Sequence, residues 1–256
     1  MSLINDFEPL SWDIAFWLQG ATDPETPIEE LGELCLELEE KLRGAAIILL
    51  LTEAKTDAFL HNLIRAASLW RGYLERCRAA GIDDDHDYCA GRFDPMLDAI
   101  AGRDFVLANT LAALAPSKYR EGHEYESDFC YARTLHTLLT ETPDKDALAA
   151  LANRCAAAGD EMSAARAEAC LALGARDQGA FEQGFSALVR ARQDEIAKEE
   201  ENGRQGTPTV YAARAIFVEG IAVLNLAERY GIALKRDYPM CPSLARVPMR
   251  QPYPGR

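Results

Sequence analysis

Apolar residues in this chain recur at steps of three and four over one long segment after another, and no stretch of comparable length alternates with period two. Phe59, Leu63, Ala67, Trp70, Leu74 and Cys77 form one such ladder, and Tyr125, Phe129, Ala132, Leu135 and Leu139 form a second. A third runs through Phe181, Phe185, Leu188 and Ile196 with Arg192 interposed, and a fourth through Val210, Ala213, Phe217, Ile221 and Leu224. Side chains three and four apart share a face only on a helix, so a sheet is excluded as the main element. The expectation is an all-α chain of eight to ten helices arranged as stacked helical hairpins, either α-solenoid-like or an irregular helical bundle.

Punctuation between the ladders agrees. Thr26-Pro27, Asp94-Pro95, Thr142-Pro143 and Thr207-Pro208 each place a capping side chain before a proline, which predicts four helix starts, with Thr26 and Glu29 set as a capping box. Gly81, Gly102, Gly159 and Gly231 fall where helices should end. A weak repeat, Ala99-Ile100-Ala101-Gly102-Arg103-Asp104 against Ala172-Leu173-Gly174-Ala175-Arg176-Asp177, suggests two copies of a corner that closes one helix and restarts the next at Asp. A polar loop from Asn202 to Thr207 separates two helices. Five of the twelve prolines fall in the last eighteen residues, which therefore run extended. The reading is one all-α domain over 1–237 and a Pro-rich basic tail over 238–256, packed on or near the domain across an acidic face.

Composition bounds what such a fold does. The 256 residues carry 41 acidic and 27 basic side chains, a formal net charge of −14, at 48% hydrophobic content. That is a folded acidic protein, which argues against nucleic acid as a partner because phosphate neutralisation needs clustered Lys and Arg. Seven cysteines stand singly with no C-x-x-C pair, as reduced thiols do in the cytoplasm. Asp6, Glu8 and Asp13 replace the basic start of a secretory signal. The longest strongly apolar run, residues 45–51, is too short to span a bilayer, so the expectation is a cytoplasmic chain with no membrane partner.

Motifs for chemistry are few. No G-x-S-x-G, G-x-G-x-x-G or phosphate-loop pattern occurs, which leaves no candidate catalytic or cofactor-binding residue. His123-Glu124 opens like a zincin helix, but Ser127 stands where its second histidine belongs; none of the four histidines sits in Glu-x-x-His. Asp83 to Asp87 lacks the spacing of a calcium loop, so no metal site is assigned. A metal-dependent hydrolase built on His86 and His123 is the weakest alternative.

Charge placement is the strongest signal. Residues 1–43 hold eleven acidic and two basic side chains, and Glu29, Glu30, Glu33, Glu37 and Glu40 fall on one helix. Asp83, Asp84, Asp85 and Asp87 form one further cluster, and Glu121, Glu124, Glu126 and Asp128 another, beside Tyr119. Each reads singly as a solvated surface. Together they make a negative field suited to a cationic protein, and these nine residues are the candidate partner-binding set. Tyr125 is assigned to core packing from its place in the ladder.

Three blocks resemble the immunity protein 49 family of bacterial polymorphic toxin systems. They are Phe93 to Asp104 with Tyr119 to Ala132; Ala169 to Asp177 with Phe181 to Leu188; and Phe217 to Tyr230 followed by Gly231-Ile232 and Tyr238-Pro239. A neighbouring helical immunity family, paired with secreted DNases, shares the last of these features. The resemblance implies a non-enzymatic, all-α protein that binds a cognate toxin domain and blocks it, in contact-dependent competition such as type VI secretion. It implies no cofactor. Acidity suits a basic toxin acting in the cytosol, a nuclease or an ADP-ribosyltransferase, whose active or substrate-binding surface is occluded. The alternative is a helical-repeat adaptor for another protein, and the oligomeric state stays open.

Overall fold

The computed structural model describes residues 7–203 and 206–255; Asp6, Arg256, and Arg204 and Gln205 of the polar loop lie outside them. The described residues form α1 (Phe7–Thr22), α2 (Ile28–Glu53), α3 (Thr56–Ala80), α4 (Asp94–Ala101), α5 (Phe105–Leu114) and α6 (Glu126–Leu139). They continue with α7 (Lys145–Ala158), α8 (Glu161–Ala175), α9 (Gln178–Glu201), α10 (Pro208–Ala215) and α11 (Val218–Arg229), then a 3₁₀ turn, Ser243–Arg246. Helices α10 and α11 follow end to end through a break at Ile216 and Phe217, so the described residues form ten helical rods, at the top of the expected range. Strand geometry among the described residues is confined to an isolated bridge between Tyr238 and Cys241.

The ladder from Phe59 to Cys77 is the buried face of α3, which packs along α2. Ala54 closes that hairpin in the left-handed conformation, φ 51°. Helices α6, α7, α8 and α9 pack each on the next. At Gly184 a Cβ would lie 2.8 Å from the backbone nitrogen of Ala169, so α8 and α9 approach closely enough to require glycine there. Later helices then return across the fold: α10 lies on α2, and α11 packs on α4, α8 and α9. Every residue from Val218 to Ala227 is buried. The 208–229 stretch is long and apolar enough to cross a membrane by composition, yet 72% of that window is inside the fold, so its apolarity serves the core. The buried amide of Asn225 donates to the carbonyls of Ile100 and Ala101, satisfying the last turn of α4.

Helix starts differ from the expectation in an instructive way. Only Thr207 caps as predicted, accepting from the Val210 N–H. Thr26 instead donates to the carbonyl of Gly20, and the residue before α2 is Pro27, so the capping box does not form. Asp94 opens α4 without capping it, and α7 starts at Lys145 under Asp144, two residues beyond Thr142-Pro143. A proline fixes its own φ but does not decide which neighbouring oxygen reaches the free N–H groups. Gly81 and Gly231 take the left-handed conformation at helix ends, whereas Gly102 and Gly159 do not.

The two repeat copies fold alike. Arg103 and Arg176 both take positive φ, 59° and 55°. The N–H groups of Asp104 and Asp177 bond back to Ala99 and Ala172 at 2.8 and 3.0 Å, which is the six-to-one bond of a Schellman corner. Each Asp then caps the following helix, α5 or α9.

The C-terminal segment is held by backbone and side-chain contacts. The carbonyl of Met240 accepts the Phe217 N–H at the break between α10 and α11. Arg246 donates to the carbonyls of Lys235 and Arg236. Further on, the Arg250 N–H donates to Asp57, and Tyr253 packs edge-on against His61.

Candidate functional site

Arg120 is one of the side chains that pin the irregular segment between α3 and α4. Arg120 donates through Nη1 to the carbonyls of Asp85 and Tyr88. The Asp85 carboxylate turns inward, accepting from the Tyr73 hydroxyl and the Asp87 N–H, and Asp87 pairs with Arg92 at 3.0 Å. Of this acidic run, Asp83 and Asp84 alone are exposed. Asp83 lines a separate depression with Arg78, Lys118 and Arg120.

The second acidic cluster is divided as well. The Glu124 carboxylate accepts the backbone N–H groups of Gly91 and Arg120 and so ties the segment before α6 to the α3–α4 connection. Glu126 pairs with Arg154, and Asp128 lies 3.6 Å from Arg166. Glu121 is exposed. Tyr119 is half-buried against Phe129, with Arg154 over its ring. Tyr125 is 79% exposed, against the core role read from its ladder. It precedes the first turn of α6, where the helical period has not yet begun to fix which side faces in.

Tyr119, Tyr125, Glu124, Glu126 and Asp128 come together around a hollow of about 570 Å³. His86 and His123 both line it, their rings packed side by side with centroids 5.7 Å apart. Cys89 lies in its floor, and burial, followed by the neighbouring Glu124, pushes that thiol up to about 11, so it is not a thiolate nucleophile. No trio of His, Cys, Asp and Glu side chains among the described residues is placed to hold a metal ion.

This hollow opens into a second, of about 850 Å³, through His86, Gly91, Arg92 and Asp128, which line both. The far wall is α2, where Glu33, Glu37 and Glu40 stand one turn apart. Asp94 and Arg166 connect it in turn to a smaller hollow beside α9 and α10. The result is one concave, mostly acidic face running from the start of α6 to α2 and α9. Asp83, Asp84, Asp85 and Glu121 line none of these three hollows, so the structure collects only part of the candidate set.

Two buried guanidiniums underlie this face. Arg43 is bonded to Asp98 at 2.9 Å and Asp94 at 3.1 Å, with Glu39 2.6 Å away. Burial works against its charge, and those carboxylates outweigh the effect. Burial also drives Asp98 up to about 6 in spite of Arg43, and drives Glu39 up likewise. Arg166 grips Glu219 with two bonds, 2.8 and 2.9 Å, and lies over the rings of Tyr131 and Phe93. Neither network was legible as a site. The signal was present in Glu219, a carboxylate inside the long apolar stretch 208–229, since such a group must find a cation.

No curated protein and no solved structure matches this chain. A family model described as immunity protein 49 matches residues 40–245, which include the corners at Arg103 and Arg176, the buried α11 and most of the concave face. With a match over that share of its length, the chain belongs to the immunity protein 49 family.

Proposed function

We propose that the protein is the cytoplasmic inhibitor of one basic antibacterial toxin domain, a nuclease or an ADP-ribosyltransferase, and that it works by covering the toxin's active or substrate-binding surface. Membership of an immunity family carries the reading. The acidic concave face supports the choice of a basic toxin: a polyanion-binding enzyme is itself cationic, and opposite fields speed its capture before it turns over. The same face offers the toxin a rigid arrangement of carboxylates in place of a polyanionic substrate.

Co-expression tests this. Cells producing the toxin domain encoded beside this gene are expected to survive when the chain is made in the same compartment, and to die without it. Death in both cases, with both proteins soluble, would refute the reading.

A further inference from the structure

We infer that the outer face of α1, built on Trp12 and Phe16, docks an apolar segment of a cationic protein, one that carries lysine or arginine side chains beside that segment. The inference deepens the binding role proposed above and rests on it. Helix α1 is apolar on two sides. Leu10 and Ile14 are buried, and Trp17 and Ala21 pack with them onto the core. Trp12 and Phe16 lie on the opposite side, one turn apart, 70% and 71% exposed. A surface helix needs one apolar stripe, so this second one serves no packing within the fold. The other exposed large apolar side chains among the described residues are Leu51, Val106, Tyr125, Tyr211 and Leu244, and no two of them share a helical turn. Scattered singly, such residues are ordinary; a Trp and a Phe paired on one helix make an interface anchor. Phe16 is also braced, its ring meeting that of the half-buried Trp17 edge-on at 5.9 Å, so little freedom is lost when it is covered.

Charge selects the occupant. Residues 1–40 carry eleven acidic side chains and no lysine or arginine, and Glu8 and Asp13, both exposed, flank the aromatic pair. Helix α1 lies against α2, whose exposed Glu29, Glu30, Glu33 and Glu37 add to the same field. A second copy of the chain would set one such acidic helix against another, which like charges oppose. A membrane-surface helix carries basic residues on its polar side to meet anionic headgroups, and α1 has none. A cationic protein meets both features at once: its apolar segment covers Trp12 and Phe16, and its lysine or arginine side chains meet the acidic border, the usual order of an apolar centre within a polar rim.

The test titrates the full chain with the toxin domain encoded beside it, by calorimetry and by stopped flow at low salt. Trp12→Ala with Phe16→Ala is expected to weaken the complex at least about thirtyfold, the mark of a hot spot. Val106→Ala, which trims an equally exposed apolar side chain on α5, should change it by less than about twofold. Glu8→Gln with Asp13→Asn should slow association by about two- to fivefold and leave dissociation nearly unchanged, as charges on a rim do. The altered side chains are all exposed, and an unchanged thermal midpoint shows that the fold is kept. An aromatic double variant that binds the toxin like wild type overturns the face and leaves the inhibitor role standing. An association rate indifferent to the Glu8 and Asp13 pair overturns the cationic occupant. A wild-type dimer, or wild-type binding to phosphatidylserine vesicles, that the aromatic double variant abolishes would assign the face to another occupant and overturn the inference. If wild type does not bind the toxin domain, the inhibitor role falls, and a short amphipathic helical peptide of leucine and lysine decides the face. Binding of that peptide by wild type, lost in the aromatic double variant, whose charge is unaltered, supports the face; equal binding by both, or by neither, overturns it.

Discussion

Replacing Arg166 by methionine isolates the charge pair beneath the concave face. Arg166 is 15% exposed and Glu219 9% exposed, and they share two bonds. Removing the guanidinium leaves Glu219 buried without its cation, a loss of about 3–5 kcal/mol for a pair of this kind. The rings of Phe93 and Tyr131 lose their cation but gain a thioether of similar reach, so that part of the change is small. The double variant Arg166→Met with Glu219→Leu removes both charges and is expected within about 1 kcal/mol of wild type, because well-packed apolar groups replace buried pairs at little cost. Urea unfolding at constant slope measures both. The single variant should also lower Tm by about 10 °C for a chain of this size. A single variant within about 1 kcal/mol of wild type, or a double variant no more stable than the single, would refute the claim that Glu219 depends on Arg166.

Other consequences follow from particular contacts. Gly184→Ala drives a methyl group toward the Ala169 backbone and is expected to cost about 1–3 kcal/mol by thermal unfolding, whereas Gly72→Ala, with open space at its Cβ, should be neutral or slightly stabilising. Asp98 binds its proton more tightly folded, about 6, than the ordinary aspartate value of 3.8. Its stabilising contribution is therefore complete below the ordinary value and lost as pH rises through about 6, alongside that of the neighbouring Glu39, and Asp98→Asn should weaken this dependence in urea unfolding followed against pH. All seven cysteines are buried, and burial pushes Cys35, Cys155 and Cys241 up to about 12, so a thiol reagent at neutral pH should modify none quickly in the native protein and seven in urea. Asp177→Ala, which deletes the cap of α9, should cost about 1 kcal/mol.

How much of this was readable beforehand depended on the range of the interaction. The α3 ladder and the Asp restarts at Asp104 and Asp177 are local, set by residues within one or two turns, and the structure agrees with them. The ladder across Phe217 predicted one helix and missed the break, because the Phe217 N–H is taken by Met240, more than twenty residues away. Helix α11 is buried on every side, so periodicity said it was helical but not that it was central. At the candidate site, charge clustering picked out carboxylates on the acidic face and others away from it, and could not tell a solvated carboxylate from a structural one. Glu124, spent on two backbone N–H groups, Glu39, paired with Arg43, and the exposed Glu33 differ only in what the fold brings to them. Arg43 and Asp98 lie 55 residues apart, a pairing that no spacing rule suggests.

The binding role is tested most directly by titrating the purified chain with the toxin domain encoded beside it, at low and high salt. A one-to-one complex of nanomolar affinity, formed faster and more tightly at low salt, is the predicted result. No complex at micromolar concentrations of either protein would contradict the inhibitor role itself. A tight complex indifferent to salt would leave that role standing and contradict the part assigned to the acidic face.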